Sequence, residues 1–333
     1  VQDERVDTEA TDLPPVAFSG SRLNWQDLPR HVRSRIAALA GAQVSSETSA
    51  TSGFTPGFAA VLELGDGHEV FVKAVSAEQN PQAPDLARRE IVVAGALPPE
   101  VPAPRLLWSH DDGTWVILGF DAVHGQSPEQ PWRPADLDRV LVALADLAVA
   151  RPLTPNGLLP VTDTMADDFR GWRRIACAPD GPRTHSAARF GERGVWVMAH
   201  LDQLADWESG WAVAAAGTAL VHGDLRADNV MLDTDATWLV DWPLASLGAP
   251  WLDLAFMLPS VEMQGGGDAD ALFWAHPVAA GVEPHALRSV LAALAGHFTL
   301  ASAQPAPIGV PNLRRFQQAQ AVVALDWLRR LPA

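Results

Sequence analysis

Between residues 221 and 232 the chain reads Val221-His222-Gly223-Asp224-Leu225-Arg226-Ala227-Asp228-Asn229-Val230-Met231-Leu232. Its two ends are residues of a buried strand, yet between them stand a His, two Asp, an Arg and an Asn. A polar group taken out of water costs on the order of several kcal/mol unless it is paired. The segment therefore dictates either a dense hydrogen-bond network or a site. Twelve residues beyond Asn229, the apolar run Trp238-Leu239-Val240 ends in Asp241. A strand–loop–strand unit with one Asp in its loop and another just past its last strand can aim both carboxylates at one point.

The rest of the chain supplies a frame for that unit. Trp25, Leu28, Val32, Ile36 and Leu39 recur at helical spacing, and Gly41 stands where a helix would stop. Strands are predicted over 43–48, 58–64 and 69–75, the last two turned at Asp66-Gly67. A helix over 85–97 follows Pro81 and Pro84, and a strand pair, 105–108 and 114–120, turns at Asp112-Gly113. Beyond Gly125 long helices are predicted over 134–150, 163–176, 188–210, 251–258, 269–275, 284–301 and 313–331, with two short β segments, 219–232 and 237–240. The fold class is α+β. A tail (1–20) precedes a β-rich N-terminal lobe (21–121) and a larger, mostly helical C-terminal lobe (122–333).

Composition narrows the function. A formal net charge of −16 excludes a nucleic-acid binder, which needs clustered Lys and Arg to neutralise phosphates. The longest apolar stretches are too short to span a bilayer, so no membrane partner is expected. Cys177 is the sole cysteine, and the first 20 residues are acidic without an apolar centre; together these predict a cytoplasmic protein.

One further charge stands out. Val70-Phe71-Val72-Lys73-Ala74 puts a Lys in an apolar strand, and Glu90 on the next helix can pair with it. Arg88 and Arg89 mark a solvated face of the same helix, the alternative place for Glu90. Phosphoryl transfer uses such a set: an Asp orients the attacking hydroxyl, an Asn and a second Asp hold Mg²⁺, and a Lys held by a Glu contacts phosphates.

His222-Gly223-Asp224 followed by Asn229 resembles the catalytic loop of the aminoglycoside phosphotransferase family, a branch of the protein-kinase-like fold. Val240-Asp241-Trp242, then Gly248 and Asp253-Leu254-Ala255, resembles that family's metal-binding motif and the helix after it. The resemblance implies a bilobal fold with Asp224 as catalytic base, Asn229 and Asp241 as Mg²⁺ ligands, and His222 and Asp253 as structural supports. It implies that Lys73 and Glu90 serve the nucleotide, that Ser52, Gly53, Phe54 and Thr55 belong to the loop covering its phosphates, and that Asp121 and Val123 lie in the linker that receives adenine.

The activity implied is ATP-dependent phosphorylation of a hydroxyl on a small molecule, with GTP left open as donor. Acceptors consistent with the acidic balance are an aminoglycoside or related antibiotic, an amino sugar or an amino alcohol. Glu262, Asp202 and Asp206 are the acceptor candidates singled out among the acidic residues, which include Glu208, Asp268 and Asp270. Against an aminoglycoside stands the basic C-terminal segment with Arg314, Arg315, Arg329 and Arg330. A nucleotide-binding module without turnover and a protein kinase are the competing functions. Asp224, Asn229 and Asp241 are all present, which opposes the first; the short connection from Asp241 to Asp253 leaves little platform for a peptide and opposes the second.

Overall fold

A computed structural model of the protein describes residues 22–50, 57–150, 152, 157–179 and 187–332. Ser52, Gly53, Phe54 and Thr55, the expected phosphate-covering residues, and the N-terminal tail lie outside the described residues.

The N-terminal part is one antiparallel sheet built from β1 (Val44–Ser49), β2 (Phe58–Leu64), β3 (Glu69–Ser76), β4 (Leu106–Asp111) and β5 (Trp115–Asp121), in the order β1-β2-β3-β5-β4. Before it comes α1 (Arg30–Ala40), and α2 (Ala83–Ala94) is inserted after β3. Successive strand residues face opposite sides, and β3 uses both. Val70, Val72 and Ala74 join Leu28, Val32 and Ile36 of the α1 side in one core. Phe71 and Val75 pack instead with Ala83, Ala87 and Leu118, on the α2 side. Lys73 falls in this second set by alternation, paired in register with Ala59 and Leu118 at the middle of the sheet.

The helix expected from Trp25 onward is interrupted. A single 3-10 turn, Trp25–Asp27, precedes α1, and Pro29 stands at the N-cap position between them. Proline cannot donate to a preceding turn, so the helix starts after it.

The C-terminal part is helical: α3 (Pro134–Val149), α4 (Val161–Thr164), α5 (Gly171–Cys177), α6 (Glu192–Ala199), α7 (Leu201–Ser209), α8 (Trp211–Ala215), α9 (Leu252–Met263), α10 (Ala269–Ala275), α11 (Pro284–Ser302) and α12 (Leu313–Arg330). Its core centres on α9 and α11, with Trp172 and Trp327 fully buried. Two expected helices are each divided. The segment 163–176 yields α4 and α5 because buried Glu208 accepts the N–H groups of Trp172 (2.9 Å) and Arg173 (3.1 Å), fixing a helix start there. The segment 188–210 breaks at His200, whose backbone (φ −120°, ψ 19°) caps α6 and opens α7.

Two small ribbons carry the polar segments. β6 (Ala219–Val221) pairs with β9 (Ser246–Gly248), a strand the sequence pattern did not predict, and β7 (Val230–Leu232) pairs with β8 (Thr237–Leu239). The chain leaving β5 is tied to this region. Gln126 and Leu232 exchange both backbone hydrogen bonds, at 3.0 and 2.9 Å. A Cβ on neighbouring Gly125 would lie 2.8 Å from Leu232 O, so only glycine allows that approach. Among the described residues no helix is long and apolar enough to cross a membrane.

Candidate active site

β6 ends at Val221 and β8 at Leu239, and the residues that follow each strand meet. His222 joins them. Its Nδ1 accepts the Asp224 N–H at 3.3 Å, and its Nε2–H donates to Val240 O at 3.1 Å. Acceptance at Nδ1 requires the neutral Nε2–H tautomer, and burial pushes the ring's pKa down to about 4. The imidazole lies against Trp242, with ring centroids 4.4 Å apart. His222 thus ties the approach to Asp224 to the approach to Asp241.

The turn itself is held from below by Asp253, in the first turn of α9. One of its oxygens accepts the His222 N–H at 2.7 Å and the other the Gly223 N–H at 2.9 Å. Gly223 has φ +82°, and a Cβ there would stand 2.7 Å from Leu244 O. Glycine is therefore required on both conformational and steric grounds.

Past the turn, Asp224 and Asn229 face each other across a 3-10 turn, Ala227–Asn229. The Asn229 amide donates to Asp224 O at 2.7 Å and to Asp224 Oδ2 at 3.3 Å. Arg226 sits between two acids. It donates through Nε and Nη2 to the Asp228 oxygens at 3.0 and 2.9 Å, and through Nη1 to Asp224 Oδ1. Its guanidinium lies 5.9 Å from the Phe316 ring, which brings α12 against this loop. Burial pushes the Asp224 pKa up to about 6, with Arg226 opposing the rise and Asp228 and Asp241 adding to it. Asp224 is then ionised at neutral pH but more basic than an ordinary carboxylate. From the sequence Arg226 could either contact phosphate or pair with a nearby acid, and it pairs with both Asp224 and Asp228.

Asp241 has φ +69°, a left-handed conformation that costs a non-glycine residue about 1–2 kcal/mol. The surroundings enforce it. Val240 N–H donates to Asn229 O at 2.9 Å, and Asp241 Oδ1 accepts from Lys73 Nζ at 2.7 Å. The same Nζ reaches both oxygens of Glu90, at 2.8 and 2.9 Å. Glu90 is 4% exposed, buried on the inner side of α2 and away from the solvated face marked by Arg88. Burial by itself would lower the Lys73 pKa, but Asp241 and Glu90 override it and hold the ammonium charged. Burial would raise the Asp241 pKa, and Lys73 reverses that, keeping the carboxylate ionised.

The site therefore joins Lys73 and Glu90 of the sheet and its helix to Asp224, Asn229 and Asp241 of the loops below. Four carboxylates (Glu90, Asp224, Asp228 and Asp241) stand against the paired cations Lys73 and Arg226, and the charge of Asp241 also acts on Arg22. Among the described residues no group of three or more His, Cys, Asp or Glu could hold a metal ion. A carboxylate and an amide oxygen with surplus negative charge around them do suit a hard divalent cation that keeps waters or phosphate oxygens in its shell.

The other expected residues are elsewhere. Asp121, at the end of β5, pairs with Arg105 at 2.7 Å, and Val123 is half-buried in the connection that follows. Glu262 closes the glycine-rich turn after α9, accepting the Ala269 N–H at 2.8 Å and pairing with Arg330 at 3.1 Å. Asp202 and Asp206 are exposed on α7, whereas Glu208 of the same helix is wholly buried. Asp268 caps α10 through the Ala271 N–H (2.9 Å), and Asp270 accepts from the indoles of Trp274 (3.0 Å) and Trp327 (2.9 Å).

Residues 53–293 match the model of the phosphotransferase enzyme family. The chain belongs to this family. Solved structures with the same fold include a thermostable mutant of the aminoglycoside phosphotransferase APH(4)-Ia, in a ternary complex with AMP-PNP and hygromycin B. It is 20% identical, with a TM-score of 0.57, covering 92% of this chain and 99% of that one. A choline/ethanolamine kinase family protein from Mesorhizobium loti is 16% identical, with a TM-score of 0.55 and the same coverage, 92% and 99%. Spectinomycin phosphotransferase, in complex with ADP and spectinomycin, is 13% identical, with a TM-score of 0.51, covering 90% of this chain and 93% of that one. No curated protein sequence matches the chain. This phosphotransferase has the α+β, kinase-like architecture of those structures, a five-stranded sheet followed by a helical region.

Proposed function

We propose that the protein transfers the γ-phosphoryl group of ATP to a hydroxyl of a small molecule, with Mg²⁺ as the assisting ion. The observation that carries this reading is the convergence on Lys73 Nζ of Glu90, from α2, and Asp241, from beyond β8. A lysine fixed from both sides is a preorganised partner for phosphate oxygens. Asn229 and Asp241 would hold Mg²⁺, whose charge offsets that on the transferring group.

Asp224 is the base. As the acceptor oxygen forms its bond to the γ-phosphorus and the bond to the ADP oxygen breaks, the hydroxyl proton passes to the Asp224 carboxylate. Arg226 and Asn229 fix the direction of that carboxylate. His222, held neutral, positions the loop and takes no proton. Glu90 keeps Lys73 in place, and the connection from Asp121 through Val123 is suited to receive the adenine.

The acceptor is small. Between Asp241 and Asp253 the chain is occupied by β9, paired along its length with β6, so no long segment is available to bind a peptide. Aminoglycosides and related antibiotics, amino sugars and amino alcohols are the classes to test, in keeping with the ligands of the solved structures bound to hygromycin B and spectinomycin. The test is ADP release with Mg–ATP across those classes, with Asp224→Ala as control. Acceptor-dependent release abolished by Asp224→Ala is expected; release that persists in the variant would overturn the assignment of Asp224.

A further inference from the structure

Upstream of the residues matched by the family model, the chain makes a short extended contact with the sheet. Arg22 and Gly57 form a parallel β-bridge, and the Leu23 N–H donates to Gly57 O at 3.1 Å. The pairing of β1 with β2 ends nearby, at the Ala50 N–H to Ala59 O bond of 2.9 Å. The upstream segment therefore borders β2 where β1 stops, beside the start of the strand that pairs with Lys73.

Side-chain alternation then assigns its faces. Leu23 packs into the cluster of Leu28, Val32, Ile36 and Phe58, on the α1 side of the sheet. On an extended backbone the preceding residue faces the other way. Arg22 is thus turned toward the side of the sheet that carries Lys73. Its Nε is shielded from solvent, so the side chain runs inward and not along the surface. Burial lowers the Arg22 pKa, and the charge of Asp241 acts against that fall.

We propose that Arg22 is a nucleotide-binding residue, contacting the polyphosphate from the sheet side of the cleft, opposite Asp241. The proposal rests on reading the cleft as a nucleotide site. A guanidinium matches phosphate in shape and charge, two N–H groups to two oxygens, and does so best where water is thinned. A polyphosphate would bring several negative charges to the side of the sheet that carries Lys73. The backbone bridge to Gly57 gives the arginine a fixed base beside the start of β2.

The experiment uses the full chain, with Arg22→Ala and Arg22→Gln, and titrates Mg–ATP, Mg–ADP and adenosine by intrinsic tryptophan fluorescence. Loss of a charge-assisted contact weakens ATP about tenfold or more. Adenosine affinity and the thermal midpoint without ligand are expected to stay at wild-type values, and Arg22→Lys is expected to recover part of the loss. Arg22→Gln keeps the extended backbone and similar bulk, and answers for Arg22→Ala should that variant misfold. Wild-type ATP affinity in the variants overturns the proposal, as does an equal loss for adenosine or a tighter grip on ATP. A wild-type protein that binds neither ATP nor ADP overturns the nucleotide reading itself, and the role of Arg22 with it.

Discussion

Replacing Asp253 with asparagine gives a test that depends on the site's construction and not on knowing its acceptor. The carboxylate is 3% exposed and receives the N–H groups of His222 and Gly223 on its two oxygens. Burial pushes its pKa up from 3.8 to about 6, with those two bonds pulling the other way. Folded Asp253 thus holds its proton more tightly than the unfolded residue does. Its contribution to stability is fully present below pH 3.8 and is lost as pH rises through 6. The whole span corresponds to about 3 kcal/mol, of which about 1.4 kcal/mol is regained between pH 8 and pH 5.

Asp253→Asn keeps the shape and removes the titration. At pH 8 the amide offers one acceptor to two N–H groups, a loss of about 1–3 kcal/mol, while relieving a buried charge. These oppose each other, so the informative quantity is the change with pH. Urea unfolding of both proteins at pH 8, 6 and 5 should show the wild type gaining about 1.4 kcal/mol on the variant by pH 5. His222 works in the other direction. Its pKa is pushed from 6.5 to about 4, so its contribution is present above 6.5 and lost as pH falls through 4. That loss is common to both proteins and cancels in the difference. Parallel curves for the two proteins would refute the picture of a buried carboxylate holding the turn at His222 and Gly223.

Three other substitutions probe neighbouring parts. Gly223→Ala should cost at least about 2 kcal/mol, from the φ of +82° and the contact with Leu244 O, read as a lower urea midpoint; an unchanged midpoint contradicts the loop geometry. Arg226→Met strips Asp224 and Asp228 of their shared counter-charge and should destabilise the fold by about 3–5 kcal/mol at neutral pH, measured the same way. A loss well under 1 kcal/mol would mean the two acids find other partners. Lys73→Met should weaken Mg–ATP binding about tenfold or more in fluorescence titrations, and wild-type affinity would remove Lys73 from the nucleotide site.

What could be read from sequence was what local pattern determines. Residues 58–64 form a strand with the expected bounds, and the Asp66-Gly67 turn joins it to the strand carrying Lys73. The pairing of Glu90 with Lys73 was legible, and the structure makes it at 2.8 and 2.9 Å, although Arg88 and Arg89 beside Glu90 marked a solvated face as the alternative. Asp224, Asn229 and Asp241 were visible because polar residues interrupted apolar runs. Features decided by distant partners were not visible. The start of α5 depends on Glu208, 36 residues beyond Trp172. β9 is three residues long and exists only through β6. Arg22 carries no periodic or motif signal, and its inward direction follows from a bridge to Gly57 across the sheet.

The bridge between Gln126 and Leu232 also sets a rule for anyone who wishes to re-engineer this chain. The stretch after β5 looks on paper like a place to lengthen, cut or insert a reporter. It is instead a riveted seam, since both bonds of the bridge fall on the strand that directly follows the Asp224–Asn229 loop, and Gly125 leaves no room for a side chain. A spacer placed there would be transmitted to Asn229 within three residues, so a sensor built on this scaffold is better opened at the Asp66-Gly67 hairpin, whose exposed tip is held to the sheet alone.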